Sequence, residues 1–302
     1  IGYQSLDANT TGAQNTAIGT SSLGANTTGS NNVAVGKGAL DANTTASANT
    51  ALGRDALGAN TTAPNNTAVG NWASATNTTG TDNVAVGSNA FGYNTTGDNN
   101  VAIGSSALLA NTTASYNTAV GKHALKANTT GAENSAFGMN TLDANTTASY
   151  NTALGSSALG ANTTGARNTA VGREALSNNT TGAYNTAVGF EALEANTTGA
   201  NNTAVGHAAM NANTTGADNV ALGYYALDVN TTGGENVAIG NHALGTQTSD
   251  GYMNTAVGHE AMKGNTTGDS NTAIGFKALL DNTSANNMLG DECKYLVQFR
   301  LH

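Results

Sequence analysis

Charge, aromatic rings and proline are all scarce in this chain. Charged residues make up 10% of its 302 residues and aromatic residues 5%, and Pro64 is the single proline. Disordered chains are usually rich in proline and charge, so the scarcity of both argues against disorder. The same composition is unusual for ordinary globular domains, which carry more charged residues.

Basic residues are fewer than acidic ones, at 10 against 19, which gives a net charge of −9. This balance offers no basic patch for phosphate contacts and argues against nucleic acid as a partner. The one cysteine, Cys293, can form no internal disulfide. No run of 18 apolar residues occurs, so no membrane insertion is expected. The chain begins in mid-repeat at Ile1, and we therefore expect it to be a portion of a longer protein.

What the chain has in abundance is a single short repeat. The pattern Asn-(Thr/Val/Ser)-Ala-apolar-Gly begins at Asn15 and recurs with a constant step of 17 as far as Asn236. One step of 18 leads to Asn254, and a further step of 17 leads to Asn271. With the first Asn taken as position 1, position 3 is Ala, position 4 is apolar and position 5 is Gly in every copy. Position 9 is nearly always a large apolar residue, and Asn-Thr-Thr occupies positions 12 to 14.

A 17-residue period is too short for a pair of helices and fits one turn of a β-solenoid. The sequence therefore predicts an all-β fold, a parallel β-solenoid (β-roll) of about 17 coils. Coils stacked about 4.8 Å apart would make a rod of about 80 Å. Residues 1–290 form this repeat domain, and 291–302 form a C-terminal cap or the start of a following domain. There, Tyr295, Val297 and Phe299 alternate with polar residues, Leu296 excepted, as in an amphipathic strand.

The repeat also predicts which positions face inward. Positions 2 and 4 share one face of a strand, and position 4 is apolar, so positions 4 and 9 are expected to form the interior. Ala at position 3 then points outward, as a close-packing face for another chain; examples are Ala17, Ala34, Ala51 and Ala68.

The Gly column and the two Asn columns are expected to mark corners, because Gly and Asn reach positive φ more readily than other residues. Alternatively, stacked Asn amides form ladders from turn to turn. The Asn columns include Asn15, Asn32, Asn49 and Asn66 at position 1, and Asn26, Asn43 and Asn60 at position 12.

Residues 15–29 resemble the 17-residue repeats of phage and large-virus tail-fibre proteins. They are similar, more loosely, to the head repeats of trimeric autotransporter (YadA-like) adhesins. The motif recurs in phase sixteen times and covers residues 1 to about 290. The resemblance implies a left-handed, homotrimeric β-roll that serves for attachment or as a stiff spacer. It also implies an extracellular location on a virion or cell surface.

These features predict a non-enzymatic fibre or adhesin shaft with no catalytic residues, no cofactor and no metal site. Four of the five histidines fall at positions 6 and 7, among variable charged residues that are expected to form a solvated strip. No His-x-Glu or Cys-x-x-Cys spacing occurs. One alternative is an ice-binding solenoid, which is disfavoured because the Thr at position 2 is expected to face inward. A self-assembling extracellular filament is the other alternative.

A few aromatic residues are candidate contacts for a ligand. Tyr116, Tyr150 and Tyr184 recur at the same position of alternate repeats, and such a row could stack on sugars of a cell-surface glycan or receptor, although surface or interchain packing is favoured. Trp72 lies in a coil where Ser74 replaces the usual Leu, and it is expected to fold into that gap. An exposed contact role is its alternative. The extra residue of the long coil, near Asp250, is expected to form a surface bulge, with a recognition loop as the alternative.

Overall fold

The structure is a computed structural model that describes residues 1–247 and 251–291. The described residues form seventeen three-residue strands, one for each repeat, and no helix. They divide into two compact units, Ile1–Asn151 and a second that begins at Thr152. The prediction of an all-β, parallel β-solenoid is confirmed in each unit. Of the cap expected at 291–302, only Asp291 is described, as the last residue of a strand, and 292–302 and the extra residue near Asp250 lie outside the described residues.

The strands of each unit lie in one parallel sheet. The first unit contains β1 (Thr16–Ile18), β2 (Val33–Val35), β3 (Thr50–Leu52), β4 (Thr67–Val69), β5 (Val84–Val86), β6 (Val101–Ile103), β7 (Thr118–Val120) and β8 (Ser135–Phe137). The second contains β9 (Thr152–Leu154), β10 (Thr169–Val171), β11 (Thr186–Val188), β12 (Thr203–Val205), β13 (Val220–Leu222), β14 (Val237–Ile239), β15 (Thr255–Val257), β16 (Thr272–Ile274) and β17 (Leu289–Asp291). Within a unit each strand pairs with the next one along the chain, and equal repeat positions lie side by side.

Backbone hydrogen bonds join consecutive coils outside the strands as well. In one coil of the first unit the N–H groups at positions 9, 11 and 13 all donate to carbonyl oxygens of the following coil. The distances are 2.9 Å for Leu108 to Ala124, 3.0 Å for Ala110 to Lys126 and 3.1 Å for Thr112 to Thr129. The neighbouring coils thereby supply hydrogen-bond partners to backbone groups around most of each coil, as buried backbone groups require.

Asparagine amides form a ladder at position 12. Asn43 Nδ2 donates to Asn26 Oδ1 at 2.9 Å and to the Ala46 carbonyl at 3.1 Å. Asn60 Nδ2 in turn donates to Asn43 Oδ1 at 3.0 Å. All three asparagines are fully buried. Because each amide is both donor and acceptor, the column can repeat without an unsatisfied atom.

A second amide column runs along position 1. Asn49 donates its backbone N–H to Asn32 Oδ1 at 3.0 Å, and Asn66 does the same to Asn49 Oδ1 at 2.9 Å. The side-chain amide of Asn32 also donates to the Ala46 carbonyl at 2.9 Å. Of the two roles considered for the asparagines, the structure therefore shows the ladder.

The corners fall at glycine and at three other positions. Gly104, at position 5, has a φ of 130°, and a Cβ there would lie 2.5 Å from the Gly121 carbonyl oxygen of the next coil. The prediction of a Gly corner is confirmed. Positions 7, 9 and 17 also take left-handed φ although they carry side chains, as at Ser106 (56°), Leu108 (49°) and Tyr116 (63°). This conformation costs about 1 kcal/mol or more per residue, and the hydrogen bonds between coils must offset it in every turn.

The predicted inward and outward faces of the strand are reversed. Ala17, Ala34, Ala51 and Ala68 are buried inside their own coils. Leu52, at position 4, is 46% exposed. The interior of a coil already contains the position 9 side chain and two amide columns, so only a methyl group fits at position 3. The expectation for position 9 is confirmed, since Leu23, Leu40, Phe91 and Leu108 are fully buried.

The 18-residue coil that begins at Asn236 keeps the strand register of the other coils. Val237 still pairs with Thr255, the same repeat position of the next copy, in spite of the extra residue between them. Gln247 takes the place of the position 12 asparagine, and its Nε2 donates to the Gly251 carbonyl at 2.8 Å. Asn265 Nδ2 then donates to Gln247 Oε1 at 3.3 Å. The longer side chain thus carries the amide ladder across the longer coil.

Replacing Asn43 with Ala removes two hydrogen bonds and leaves the Asn60 amide without its acceptor in the ladder. We expect Asn43→Ala to lower the free energy of unfolding by about 3 kcal/mol. The control Thr45→Ala, at an exposed position of the same coil, should change it by less than about 0.5 kcal/mol. Urea denaturation followed by circular dichroism measures both, and equal effects would contradict the buried ladder.

A larger side chain at position 3 tests whether that position faces the interior of the coil. Ala68→Val overpacks the interior and should lower the free energy of unfolding by about 1–3 kcal/mol. The neighbouring change Thr67→Val places at position 2 a residue that Val84 already supplies in the next coil, and it should be near neutral. A thermal melt of Ala68→Val that matches the wild type would show that position 3 is not inside.

Candidate interaction surfaces

The outward side chains at positions 2 and 4 form what we call the strand face of each unit. Position 2 is Thr, Val or Ser and position 4 is Val, Ile, Leu or Phe throughout β1–β16. Large apolar side chains are exposed along it, including Ile18, Leu52, Ile103, Phe137, Leu154, Leu222 and Ile274. In the first unit, eight strands of three residues give a face of about 400 Å². Its position 4 half is apolar throughout, whereas position 2 is Thr or Ser in five of the eight strands, so the face is a continuous apolar column beside a mixed one.

The outward column at position 2 also corrects the expectation on threonine. β10, β11 and β12 are each Thr-Ala-Val, and their threonines pair side by side as Thr169, Thr186 and Thr203. The middle Ala of each strand is buried while the flanking Thr and Val are partly exposed. The hydroxyl column therefore faces solvent in this chain, and the inward orientation expected from the sequence is wrong.

A different surface of the second unit carries a cluster of rings at positions 6 and 7, which we call the aromatic strip: Phe190, His207, Tyr224, Tyr225 and His242. His207 lies 5.3 Å from Phe190 and 5.2 Å from Tyr224, between ring centroids. Tyr225 stacks on His242 at 5.5 Å with an interplanar angle of 2°. Tyr224 meets Tyr225 edge-on at 4.4 Å. The strip spans four successive coils.

Acidic side chains border the aromatic strip. Glu191 and Glu194 lie in the coil of Phe190, and Asp228 lies in the coil of the two tyrosines. Burial raises the pKa of the Asp228 carboxyl, and its Oδ1 is buried without a hydrogen-bond partner among the described residues. The pKa of the Tyr225 phenol is also raised, first by Tyr224 and by burial, with the negative charges of Asp228 and Glu191 acting in the same direction. The two carboxylates therefore make the surroundings of the Tyr225 ring negatively charged.

Sequence reasoning treats positions 6 and 7 as a solvated strip and misses this cluster. The signal available is the run of rings at those positions in four successive coils. The same positions of the first unit carry residues such as Ser88, Asn89, Ser105 and Ser106. Rings at positions 6 and 7 are therefore not a requirement of the fold.

The next two coils carry ion pairs as well as rings at these positions. Glu260 Oε1 lies 2.7 Å from Lys263 Nζ, and Oε2 lies 3.3 Å from Lys277 Nζ. The hydrogen bond from Lys263 is the main cause that lowers the pKa of Glu260. His259 Nδ1 is 4.0 Å from the same carboxylate. The described residues contain no group of three or more His, Cys, Asp or Glu side chains that could hold a metal ion.

Trp72 does not fill the gap left by Ser74. It is 44% exposed, and the Arg54 guanidinium lies 5.8 Å from the centre of its ring. Ser74 is buried, and its Oγ has no hydrogen-bond partner among the residues described. The expectation that Trp72 folds inward is wrong, because position 7 turns outward, away from the interior that position 9 reaches. In the next coil that inner position is taken by Phe91, which is larger than the usual Leu and fully buried.

The three tyrosines at position 17 are all exposed. Tyr116 and Tyr150 lie in the first unit, two coils apart, and Tyr184 lies in the second. Arg167 Nη1 donates to the Tyr184 hydroxyl at 2.7 Å, and its guanidinium lies 5.4 Å from the ring centre. Their role in binding a glycan stays a prediction.

The Asn-Thr-Thr triplets have the form of N-glycosylation acceptors. In the folded coils their asparagines are buried, and the Nδ2 group of Asn43 is engaged by two acceptors. A glycan on this nitrogen would replace an N–H of the ladder. The folded repeat is therefore closed to such attachment at Asn43.

None of the described residues forms a helix that could cross a membrane. No family model and no curated protein matches the chain. Function is therefore inferred from the two surfaces, the strand face and the aromatic strip.

Proposed function

We propose that the chain is a non-enzymatic structural protein, a fibre or adhesin shaft, in which the strand face packs against other copies of the chain. The observation that supports this most strongly is the unbroken apolar column at position 4. Contacts between neighbouring coils cover these side chains only in part, and several of them stay more than a third exposed in the single chain. Burial of that column between copies removes apolar surface from water, at about 25 cal/mol per Å².

The distribution of charge supports the same face as the contact. Positions 2 and 4 of β1–β16 carry no charged residue, whereas positions 6, 7, 10 and 17 carry most of the Lys, Arg, Asp and Glu of the coils. Like charges would therefore not oppose each other across a contact between copies. Three copies can turn one face each toward a shared axis, so the partner we propose is a homotrimer. Such a trimer accords with the left-handed trimeric fibres that the repeat resembles, displayed extracellularly on a virion or cell surface.

A charge placed on the strand face should separate the copies. We expect the double variant Val69→Lys, Val86→Lys to have the mass of a single chain by light scattering, while the wild type has the mass of a trimer. Both positions are partly exposed in the single chain, so Lys can reach solvent and the circular dichroism spectrum should be unchanged.

The matched control is Thr62→Lys, Thr79→Lys, which adds the same charge to exposed residues at position 14. It should remain trimeric. A wild-type chain that is monomeric at all concentrations would contradict the proposal. A trimeric Val69→Lys, Val86→Lys variant would place the contact on another face. Open-ended polymers under the electron microscope would instead favour the filament alternative.

Ice binding is a second candidate, because the structure overturns the inward facing of position 2, although Val still interrupts the Thr column in β2, β5, β6, β13 and β14. The threonines of β10, β11 and β12 present a regular outward column of hydroxyl groups beside a column of valines. Ice could reach this array only if the strand face were open to solvent, so the trimer and ice binding exclude each other. We expect the wild type to show no thermal hysteresis. Freezing-point depression that is lost in Thr186→Lys would favour ice binding over the trimer.

A further inference from the structure

We propose that the aromatic strip of the second unit binds guanidinium groups, presented as arginine side chains of an extended basic peptide. This goes beyond the structural role proposed above. The strip is built from positions 6, 7 and 10, and the strand face from positions 2 and 4. Failure of one proposal therefore leaves the other standing.

Rings at position 6 already contact cations where the chain itself supplies an Arg or a Lys. Arg173 places its guanidinium 5.2 Å from the centre of the Phe190 ring, and Lys277 places its ammonium 5.3 Å from the centre of Phe276. A cation over an aromatic face is stabilised by the quadrupole of the ring. Residues 174–262 contain no Lys or Arg. Tyr224 and Tyr225 occupy positions 6 and 7 of their repeat and have no cation in their own stretch of chain.

Negative charge converges on the same rings. Glu191, Glu194 and Asp228 flank the strip, and the first and last of these act on the Tyr225 phenol. Glu194 receives one hydrogen bond, from Asn211 Nδ2 at 3.0 Å. Asp228 Oδ1 is buried without a hydrogen-bond partner among the described residues, while backbone hydrogen bonds and the more distant Lys263 act on the rest of the carboxyl. A guanidinium over Tyr225 would bring a compensating positive charge close to Asp228 and Glu191.

Tyr224 offers the most accessible ring. Its side chain is 48% exposed, and His207 stacks on one face. In the next coil position 6 is Asn241, which carries no ring, while Tyr225 and His242 meet Tyr224 edge-on at 4.4 Å and 5.8 Å. A planar guanidinium can stack on the exposed part of this ring, which a compact ammonium does less well.

The repeat distances fit an extended peptide. Four coils span about 15 Å, and alternate side chains of an extended chain lie about 7 Å apart on one side. Two or three arginines could therefore engage the strip together. Each would gain a ring contact and a nearby carboxylate, while the rest of the peptide lies along the stacked coils.

A titration with a fluorescent hexa-arginine peptide, followed by anisotropy, tests the proposal. The informative variant is Tyr224→Ser, Tyr225→Ser, because the first unit carries Ser105 and Ser106 at the same two positions and the net charge is unchanged. We expect this variant to bind at least about tenfold more weakly than the wild type. Asp228→Asn should also weaken binding. The circular dichroism spectra of both should match the wild type.

The control is Tyr116→Asn, which removes an exposed ring at position 17 of the first unit, where Asn99 stands one coil earlier. It should bind as the wild type does. Equal affinity of the wild type and the double serine variant would overturn the proposal, because attraction of a basic peptide to an acidic chain would then suffice. Absence of measurable binding by the wild type at low salt would overturn it as well.

Discussion

The hydrogen-bonded register between one coil and the next is the constraint on which the rest of the structure depends. Strand residues, corner amides and buried asparagines all find their partners in the adjacent coil of their unit. A side-chain amide can join such a column only if another side-chain amide lies at the equivalent position of the adjacent coil. The fixed period, the Gly corner and the Asn columns are consequences of this one requirement, and they leave only the outward positions free to vary.

The narrow interior explains why the apolar residues are divided between two places. A coil this short, which contains two amide columns and one large side chain, has room for little more than methyl groups. The Val, Ile and Leu of position 4 are therefore outside, where they stay partly exposed to water in the single chain. Their constancy is best explained by contact with another surface, and this links the packing of a coil to the proposed association of copies.

The period, the strands, the Gly corner and the buried position 9 could all be predicted from the sequence, because each follows from repetition and residue type. The side of the strand that faces the interior could not be predicted. Alternation shows that Thr67 and Val69 lie opposite Ala68, but which side is inside depends on the width of the coil. Apolarity alone does not imply burial. The aromatic strip was missed for a related reason, since His207 and Tyr224 become neighbours only when the coils stack.

Two deletions in the first unit measure the register constraint directly. Removal of residues 101–117 takes out one whole period and joins Asn100 to Thr118, so that every column continues. Removal of residues 101–118 joins Asn100 to Ala119 and leaves a coil one residue short. The first variant should melt within a few degrees of the wild type, and the second should melt far below it or fail to fold. Equal melting temperatures for the two would contradict the account.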